Sequence, residues 1–190
     1  MGFVAGPETS AFFNQNWYGG NILSSAIGQQ NHQFTPMQLA NFTAVIANGG
    51  TLYSAHMLKR VQHFDHSYEL YSATPEVRNR VEIGEREMAS IQEGMRMAVQ
   101  SGGTAFSVFR NFPIDVAGKT GSVQVGNRPN NGVFVAYAPY YTTPEIAISL
   151  IVQNGGAGSV VAPIARDIIG AYFRLQEEMT YVSEEGTLVI

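Results

Sequence analysis

The sequence contains no cysteine. Disulfide bonds, thiolate metal sites and a cysteine nucleophile are therefore excluded. A chain without cysteine is equally compatible with a reducing and an oxidising compartment. Charged residues make up only 14% of the 190 residues and the net charge is −4, so the basic surface typical of nucleic-acid binding is absent. The chain also lacks an apolar run long enough to cross a bilayer and a basic, then apolar amino terminus. We therefore expect no nucleic-acid partner, and any export signal is expected outside these residues.

Hydrophobic residues make up 45% of the sequence, which is sufficient for the core of one ordinary domain. The clearest helix signal is "FTPMQLANFTAVIANGG". Thr35 can cap this helix, Pro36 suits its first position, and Gln38 completes a capping box. Gly49 and Gly50 then predict its end. The residues expected on its buried face are Leu39, Phe42 and Ile46.

A second helix is predicted from near Glu85 to an interruption at Ser101–Gly103. Its expected buried stripe consists of Met88, Ile91, Met95 and Ala98. Between the two helices, the pattern predicts two or three short strands around a turn at Asp65–Ser67. Residues 1–34 are rich in Gly, Asn, Gln and aromatic residues without a period, which predicts an irregular surface loop with room for one helical turn.

Three strand-like runs dominate the last third of the chain: "IDVAGKTGSVQV", "NGVFVAYAP" and "PEIAISLIVQN". The segments "GNRPNNG" and "YYTTP" separate these runs, and Asn131–Gly132 and Pro144 are the expected turn residues. After them, "GGAGSVVAPIARDIIGAYFRLQ" predicts a helix capped by Ser159, with Pro163 in its first turn. The residues expected on the buried face of this helix are Val161, Ile164, Ile168, Tyr172 and Leu175.

The predicted fold class is α+β, with a three-stranded antiparallel meander packed by the C-terminal helix and by the upstream helices. Residues 1–176 are expected to belong to the domain, and the acidic segment 177–190 is expected to be a tail.

Two patterns raise the question of a bound metal or nucleotide. His63, Asp65 and His66 lie close together, but without a further ligand nearby they indicate a hairpin turn. Gly118–Thr120 ends like a phosphate-binding loop, yet Pro113 stands where that loop needs a glycine. The alternation after Thr120 predicts a strand instead of the required helix. We therefore predict neither a metal nor a cofactor.

Lys119 stands in a predicted strand of otherwise small and apolar residues, followed by Thr120, Gly121 and Ser122. One interpretation is an edge strand whose charge prevents aggregation. The other is an anion-binding, acyl-transfer site, because an ammonium and two hydroxyls lie near a glycine that permits close approach. Composition does not choose between these interpretations.

Five segments, in the same order along the chain, carry a resemblance to a known family. They are "SSAIGQQNHQFTPMQLANFTAVIANGGTL", "EGMRMAVQSGGTA", "AGKTGSVQV", "NGVFVAYAPY" and the run from "PEIAISLIVQNGG" to "SVVAPIARDIIGAYF". Over about residues 18 to 175 the chain resembles the carboxy-terminal part of the transpeptidase domain of class B penicillin-binding proteins, of the elongation type. The resemblance implies a partial penicillin-binding, β-lactamase-like fold.

The resemblance also implies a reaction and a location. The family cross-links the D-Ala-D-Ala stem peptides of peptidoglycan by serine acyl transfer, and β-lactam antibiotics acylate the same serine. The implied location is the extracytoplasmic face of a bacterial cell membrane, with the parent protein anchored by an upstream segment.

By the same resemblance, Lys119 and the backbone N–H of Ser122 are implied to act in catalysis, the N–H as an oxyanion donor. The stem peptide is implied to dock as an added strand along Val123–Val125. The residues implied to bind substrate are Lys119, Thr120, Gly121, Ser122 and Gln124.

The most important departure from the family is that the chain contains neither a Ser-x-x-Lys nor a Ser-x-Asn motif. We therefore expect a carboxy-terminal piece of the domain that carries the substrate-binding strand but is inactive alone. Its missing amino-terminal half would be a partner, and self-association of the piece is expected. The alternative is a non-enzymatic β-lactam-sensing or partner-binding module, and a third hypothesis is a β-lactamase-type hydrolase. Both usually need the serine, which weakens them.

Overall fold

The computed structural model describes residues 2–185, and the side chains among them up to residue 174. The elements in chain order are α1 (Pro7–Phe12), α2 (Gly19–Ala26), α3 (Pro36–Ala47), β1 (Thr51–Tyr53), β2 (Arg60–Gln62), β3 (Glu69–Ser72), β4 (Val77–Arg80), α4 (Glu85–Met97), α5 (Phe106–Phe109), β5 (Ala117–Val125), β6 (Arg128–Ala138), β7 (Ile146–Val152) and α6 (Gly158–Glu185). This mixture of helices and antiparallel strands confirms the predicted α+β class.

The three strands β5, β6 and β7 form the predicted antiparallel meander. Pro144 lies in the loop before β7, as predicted. The prediction that Asn131–Gly132 makes the first turn is wrong, because both residues lie inside β6 and Gly126, at φ +52°, lies in the turn. A Cβ on Gly132 would come within 2.8 Å of Cγ2 of Val161 on α6. Gly132 therefore serves close helix packing and not chain reversal.

The long helix α6 lies across one face of the meander, as predicted. The predicted buried face is wrong in part: Val161 is buried and Tyr172 is partly buried, whereas two isoleucines are not. Ile164 and Ile168 are exposed, because the helix turns a neighbouring face, which contains two alanines, to the sheet. The buried residues are Val161, Ala162, Ala165 and Ile169. The helix begins at Gly158, so Ser159 is not its cap and Pro163 lies in the second turn instead of the first.

The C-terminal end of α6 also differs from the prediction. The helix continues to Glu185, so the tail predicted for 177–190 is helical as far as that residue. Residues 186–190 and the side chain of Leu175 lie outside the described residues. The domain boundary at 176 stays a prediction.

Helix α3 has the predicted boundaries and capping box. Thr35 Oγ1 accepts the N–H of Gln38 at 3.2 Å, and Gln38 Oε1 accepts the N–H of Thr35 at 3.0 Å. The predicted buried face is wrong in part, because Phe42 is 60% exposed whereas Thr43 and Val45 are buried. The helix is apolar around most of its circumference, so periodicity alone does not identify the face that packs.

Helix α4 begins at Glu85, as predicted, and buries Met88 and Met95. Ile91 is exposed, which contradicts its place in the predicted stripe. The segment before α4 contains four strands, more than the two or three predicted, in two pairs, β1 with β4 and β2 with β3. The additional pairing is non-local: β1 and β4 flank the β2–β3 hairpin, so local alternation does not show it.

The loop predicted for residues 1–34 is wrong in part, because the structure contains α1 and α2 there. Pro7 begins α1, and a cluster of the aromatic rings of Phe3, Phe12 and Phe13 packs against it. Helix α2 begins with two glycines and has no side-chain cap, so its sequence shows little helix propensity. The sequence therefore gives little local indication of α2.

The sheet lies between two helical layers. On one face, α5 and α6 pack against Phe134, Ala136 and Ala138 of β6. On the other face, α3 and α4 pack against Ala117 and Tyr137. Both faces of β7 are therefore partly covered, as its apolar run predicts. None of the described helices combines the length and apolar character needed to cross a bilayer.

Large apolar side chains are exposed on α2 and just beyond it, where Leu23 is 75% and Ile27 is 76% exposed. β7 is also an edge strand in the described part of the chain. Exposed apolar patches and free edges favour association. We therefore expect the 190-residue chain to sediment as oligomers at micromolar concentration.

A double variant, Leu23→Ser with Ile27→Ser, should weaken this association several-fold, because it removes apolar area from one helix face. Met57→Ser is the matched control, since Met57 is 100% exposed but is not part of α2. A compact wild-type monomer that melts cooperatively and binds no hydrophobic dye would contradict the prediction.

Candidate functional site

The predicted site residues lie on β5, an edge strand of the meander. Residues 119–122 pair with β6, and no strand pairs with the other edge of β5 in the described part of the chain. Lys119 and Thr120 therefore belong to a strand, as predicted, and not to a loop followed by a helix. This geometry excludes a phosphate-binding loop at Gly118–Thr120.

Side-chain alternation divides the site residues between the two faces of the sheet. Thr120 lies opposite the buried Phe134, so Thr120 and Ser122 share the face that α6 covers. Lys119 and Gly121 lie opposite valines of β6 on the face that α3 and α4 cover. The ammonium and the two hydroxyls are thus on different faces. A ligand can meet all of them only along the open edge of β5.

Lys119 is exposed, and its Nζ donates to the carbonyl oxygen of Thr120 at 2.8 Å. In an extended strand, the carbonyl of one residue and the N–H two positions later point to the same side. The ammonium therefore lies on the side of β5 to which the N–H of Ser122 points. An ammonium has three donors, and this bond uses one of them. The arrangement places positive charge beside a backbone donor, as an anion site requires.

Gly121 shows where space is left for a ligand. A Cβ at this position would lie 3.4 Å from Cβ of Val133, which is ordinary van der Waals contact. Neither backbone conformation nor internal packing in the described chain therefore requires a glycine here. Gly118 differs, because a Cβ there would come 2.8 Å from the ring of Phe134. The free space above Gly121 borders a cleft.

This cleft has a volume of about 640 Å³ and lies between β5 and the segment 27–35. Ser122 and Val123 form part of its wall, whereas Gln124 is exposed at a register shift of β5 and does not line it. Its polar lining residues come from both sides and include no Asp, Glu, Lys or Arg: Gln29, His32, Gln33, Thr35, Ser122 and Asn131. Sequence spacing gives no indication that residues 27–35 line this cleft, because only tertiary structure brings them to β5. The glutamines of "GQQNHQF" are the only local signal.

Ser25 and His32 lie beside the cleft and have the residue types of a nucleophile and its base. Ser25 Oγ is 3.0 Å from Nε2 of His32. However, the backbone N–H of Ala5 donates to Nδ1 of His32 at 3.1 Å. The proton of the neutral ring must therefore be on Nε2, which lies 3.1 Å from the carbonyl oxygen of Ser25. A protonated Nε2 cannot accept the hydroxyl proton, so this pair is structural.

Thr104, on the turn between α4 and α5, is a second contact that the sequence did not reveal. Its Oγ1 lies 2.9 Å from Oγ1 of Thr120, close enough for a hydrogen bond. The two residues are 16 positions apart and on different elements, so spacing gives no indication of the contact. Thr120 thus has a side-chain partner at the edge of the site.

His63, Asp65 and His66 form the predicted hairpin turn between β2 and β3. Asp65 Oδ1 accepts the N–H of Ser67 at 2.9 Å and lies 2.6 Å from Nδ1 of His63. Hydrogen bonds from Ser67, and then from His63, lower the pKa of the Asp65 carboxyl below its usual range. The carboxylate therefore stabilises the turn. The described residues contain no group of three or more acidic and imidazole side chains placed to hold a metal.

An arginine–tyrosine cluster fixes α4 against the end of β6. The guanidinium of Arg96 lies over the rings of Tyr140 and Tyr141, at 5.5 and 5.0 Å from their centroids. Glu93 pairs with Arg96 at 3.2 Å and accepts the hydroxyl of Tyr140 at 2.9 Å. Burial raises the pKa of the neighbouring Tyr137 to about 12, so its phenol is neutral at physiological pH. These contacts hold the layer that supports the Lys119 face of β5.

Comparison with known families gives a match over most of the chain. The model of the penicillin binding protein transpeptidase domain matches residues 4–170. The chain is 30% identical to penicillin-binding protein 2A of Bacillus subtilis, over 95% of this chain and 27% of that protein. It is 33% identical to the peptidoglycan D,D-transpeptidase MrdA of Acinetobacter baumannii, over 80% of this chain and 24% of that protein. The chain thus spans about a quarter of the length of these relatives.

Solved structures show the same similarity. The structure of Pseudomonas aeruginosa PBP2 in complex with WCK 5153 matches 90% of this chain and 38% of that one, with 30% identity and a TM-score of 0.75. Penicillin-binding protein A of Mycobacterium tuberculosis, as its imipenem acyl-enzyme complex, matches 78% of this chain and 33% of that one. The identity is 26% and the TM-score is 0.64 for this second structure.

Proposed function

Because the chain belongs to the penicillin-binding protein transpeptidase family, we propose that β5 is the strand on which a peptidoglycan D,D-transpeptidase binds its stem peptide. The substrate is a peptide that ends in D-Ala-D-Ala. A serine outside these 190 residues attacks the carbonyl between the two D-Ala residues, and the terminal D-Ala leaves with the proton. An amine of a neighbouring stem then attacks the acyl carbonyl, the ester bond to the serine breaks, and the amine proton returns to the serine oxygen.

The observation that supports this proposal is the unpaired edge of β5. A peptide can add there as a further strand along Val123–Val125, with main-chain hydrogen bonds to the free edge. Gln124, exposed beside the cleft, contacts the peptide farther along the strand. The space above Gly121 lets the peptide lie close to the backbone, since nothing else in the described chain requires that glycine. The uncharged cleft beside Ser122 then receives one side of the acyl group.

The charges on this edge suit the reaction. The terminal carboxylate of D-Ala-D-Ala needs hydroxyl donors and a cation, which Thr120, Ser122 and Lys119 supply. The tetrahedral intermediate needs a fixed donor for its oxyanion, and the N–H of Ser122 points to the same side as the Lys119 ammonium. Lys119 therefore acts where negative charge is bound and where it develops. β-Lactams, which carry a carboxylate beside a reactive amide, occupy the same place.

We propose the family's location and partners for the whole protein. It acts on the extracytoplasmic face of a bacterial membrane, with its transpeptidase domain completed by an amino-terminal half that supplies the serine. Residues 1–176 belong to that domain, and the segment 177–190 is its tail.

The first test uses the 190-residue chain by itself. We expect no covalent adduct with a fluorescent penicillin after denaturing electrophoresis, because no serine of a Ser-x-x-Lys motif is present to attack the lactam. The complete gene product, labelled in parallel, should give one adduct per molecule. A stoichiometric, denaturation-resistant adduct on the chain alone would contradict the proposed division of the site.

Turnover of stem peptides distinguishes a transpeptidase from a non-enzymatic β-lactam sensor of the same fold. The complete protein should release D-Ala and join stem peptides when donor and acceptor are supplied. A sensor would be acylated by penicillin without releasing D-Ala from a stem peptide, and that result would overturn the proposed activity.

A further inference from the structure

We propose that Thr104 is a positioning residue of the β5 site, whose hydroxyl donates to Thr120 and directs the Thr120 proton towards the bound carboxylate. This inference rests on the proposed function of β5. It concerns a residue of the α4–α5 turn that has no place in the mechanism described above.

The direction of the hydrogen bond between Thr104 and Thr120 follows from the proposed role of Thr120 as a donor to the bound carboxylate. In the free protein either hydroxyl can donate across the 2.9 Å between Thr104 and Thr120. When an anion binds to Thr120, the single proton of its hydroxyl must point to the anion. Thr120 can then keep its contact with Thr104 only as an acceptor. A chain of two hydroxyls ending on a carboxylate results, and each bond polarises the next.

The turn that carries Thr104 has a fixed conformation. Gly102 has φ +86°, a value that favours glycine, and a Cβ on Gly103 would overlap the carbonyl oxygens at the end of α4. The next residue, Ala105, is buried in the core and donates its N–H to the carbonyl of Ala98 at 2.9 Å. Thr104 is therefore placed between two residues that cannot move independently. Its hydroxyl is held in position before a ligand binds.

Helix α5 connects this turn to the strand opposite Thr120. Phe109 of α5 stacks on Phe134 of β6, with ring centroids 6.0 Å apart and planes at 15°. Phe134 is fully buried and is the cross-strand partner of Thr120. The turn, the helix and the strand are thus packed as one unit on the same face of the sheet. Core packing therefore fixes the relative positions of the two threonines, although both hydroxyls lie at the surface.

A purely structural role would also explain a hydrogen bond between a turn and a strand. The two roles differ in their dependence on the ligand. A structural tie affects all ligands equally, whereas a positioning role affects only ligands that carry the carboxylate. Benzylpenicillin and its methyl ester therefore form a matched pair of probes.

The experiment measures the second-order rate constant of acylation in the complete protein. Thr104→Val should lower it roughly tenfold for benzylpenicillin, the effect of one supporting hydrogen bond in a charged chain. Thr104→Ser, which keeps the hydroxyl, should restore it to within about twofold. For the methyl ester, both variants should stay within about twofold of the wild type. Ser107→Ala, which removes an exposed hydroxyl from the adjacent α5, is the control and should change neither rate.

A double-mutant cycle completes the test. In a Thr120→Val background, Thr104→Val should cause no further loss, because the residue it acts through is gone. Equal losses for the two probes, additive losses in the cycle, or no loss in Thr104→Val would each overturn the inference. If Thr120→Val itself leaves the preference for the carboxylate unchanged, the proposed binding role of β5 fails as well. Thermal midpoints near that of the wild type exclude misfolding as the cause.

Discussion

Replacing Lys119 with alanine in the complete protein should slow β-lactam acylation by roughly 100-fold or more, as expected for the loss of a charge that stabilises the transition state. The structure places the ammonium beside the Thr120 carbonyl, on the side of β5 to which the N–H of Ser122 points. Negative charge grows there as the tetrahedral intermediate forms. The ground state gains less from the ammonium, because Thr120 and Ser122 still bind the carboxylate.

Stopped-flow traces at increasing β-lactam concentration separate these contributions. The limiting acylation rate should fall by the larger factor, and the reversible dissociation constant should rise by less than about tenfold. Lys59→Ala provides the matched control, since Lys59 is an exposed lysine outside the site. An unchanged limiting rate with weaker binding would show that Lys119 only attracts the carboxylate.

The elements that could be predicted from the sequence are those specified by local signals. The capping box of Thr35 and Gln38 defines the start of α3, and two left-handed glycines define its end. The meander follows from three apolar runs, although its first turn is at Gly126 and not at the predicted Asn131–Gly132. These signals act within a few residues, so they survive in the folded chain whatever packs around them.

The faces of the helices could not be predicted in the same way. In α6 the sequence favours a face that includes Ile164 and Ile168, yet the helix packs through a face on which two alanines accompany Val161 and Ile169. That choice depends on how near the helix comes to the sheet, which is set by Gly132 and Gly158. The packing partners of these two glycines, Val161 for Gly132 and the backbone of β5 and β6 for Gly158, must be known before the buried face can be deduced.

The site residues likewise divide into those that the sequence identifies and those that only tertiary packing brings to the site. Lys119, Thr120, Gly121 and Ser122 are contiguous, so a single strand pattern and the family resemblance identify them together. Thr104 and the cleft segment 27–35 reach β5 only through the packing of α5 and of the amino-terminal region. A glycine pair before a threonine, as in "SGGTA", indicates a constrained turn but not the strand that it contacts.

The start of α6 packs closely against β5. Replacing two glycines of α6 with alanine should therefore change the stability of the domain in opposite directions. A Cβ on Gly158 would overlap the carbonyl oxygen of Val133 and lie 2.6 Å from the backbone N of Gly121. A Cβ on Gly170 would lie 3.5 Å from the ring of Phe112, an ordinary contact. The first glycine is therefore required by the backbone of the site strand, and the second is not.

Gly158→Ala should destabilise the domain by about 2 kcal/mol or more, because backbone atoms cannot move aside as a side chain can. Gly170→Ala should instead stabilise it by about 0.5–1 kcal/mol, the difference in helix propensity. Thermal unfolding of the two variants of the complete protein, compared with the wild type, measures the direction of both stability changes. Acylation should also slow in Gly158→Ala, since displaced Gly121 shifts the N–H of Ser122, and should be unchanged in Gly170→Ala. Equal stability of the two variants would mean that the start of α6 does not pack against the backbone of β5. Other contacts would then have to stabilise the site strand.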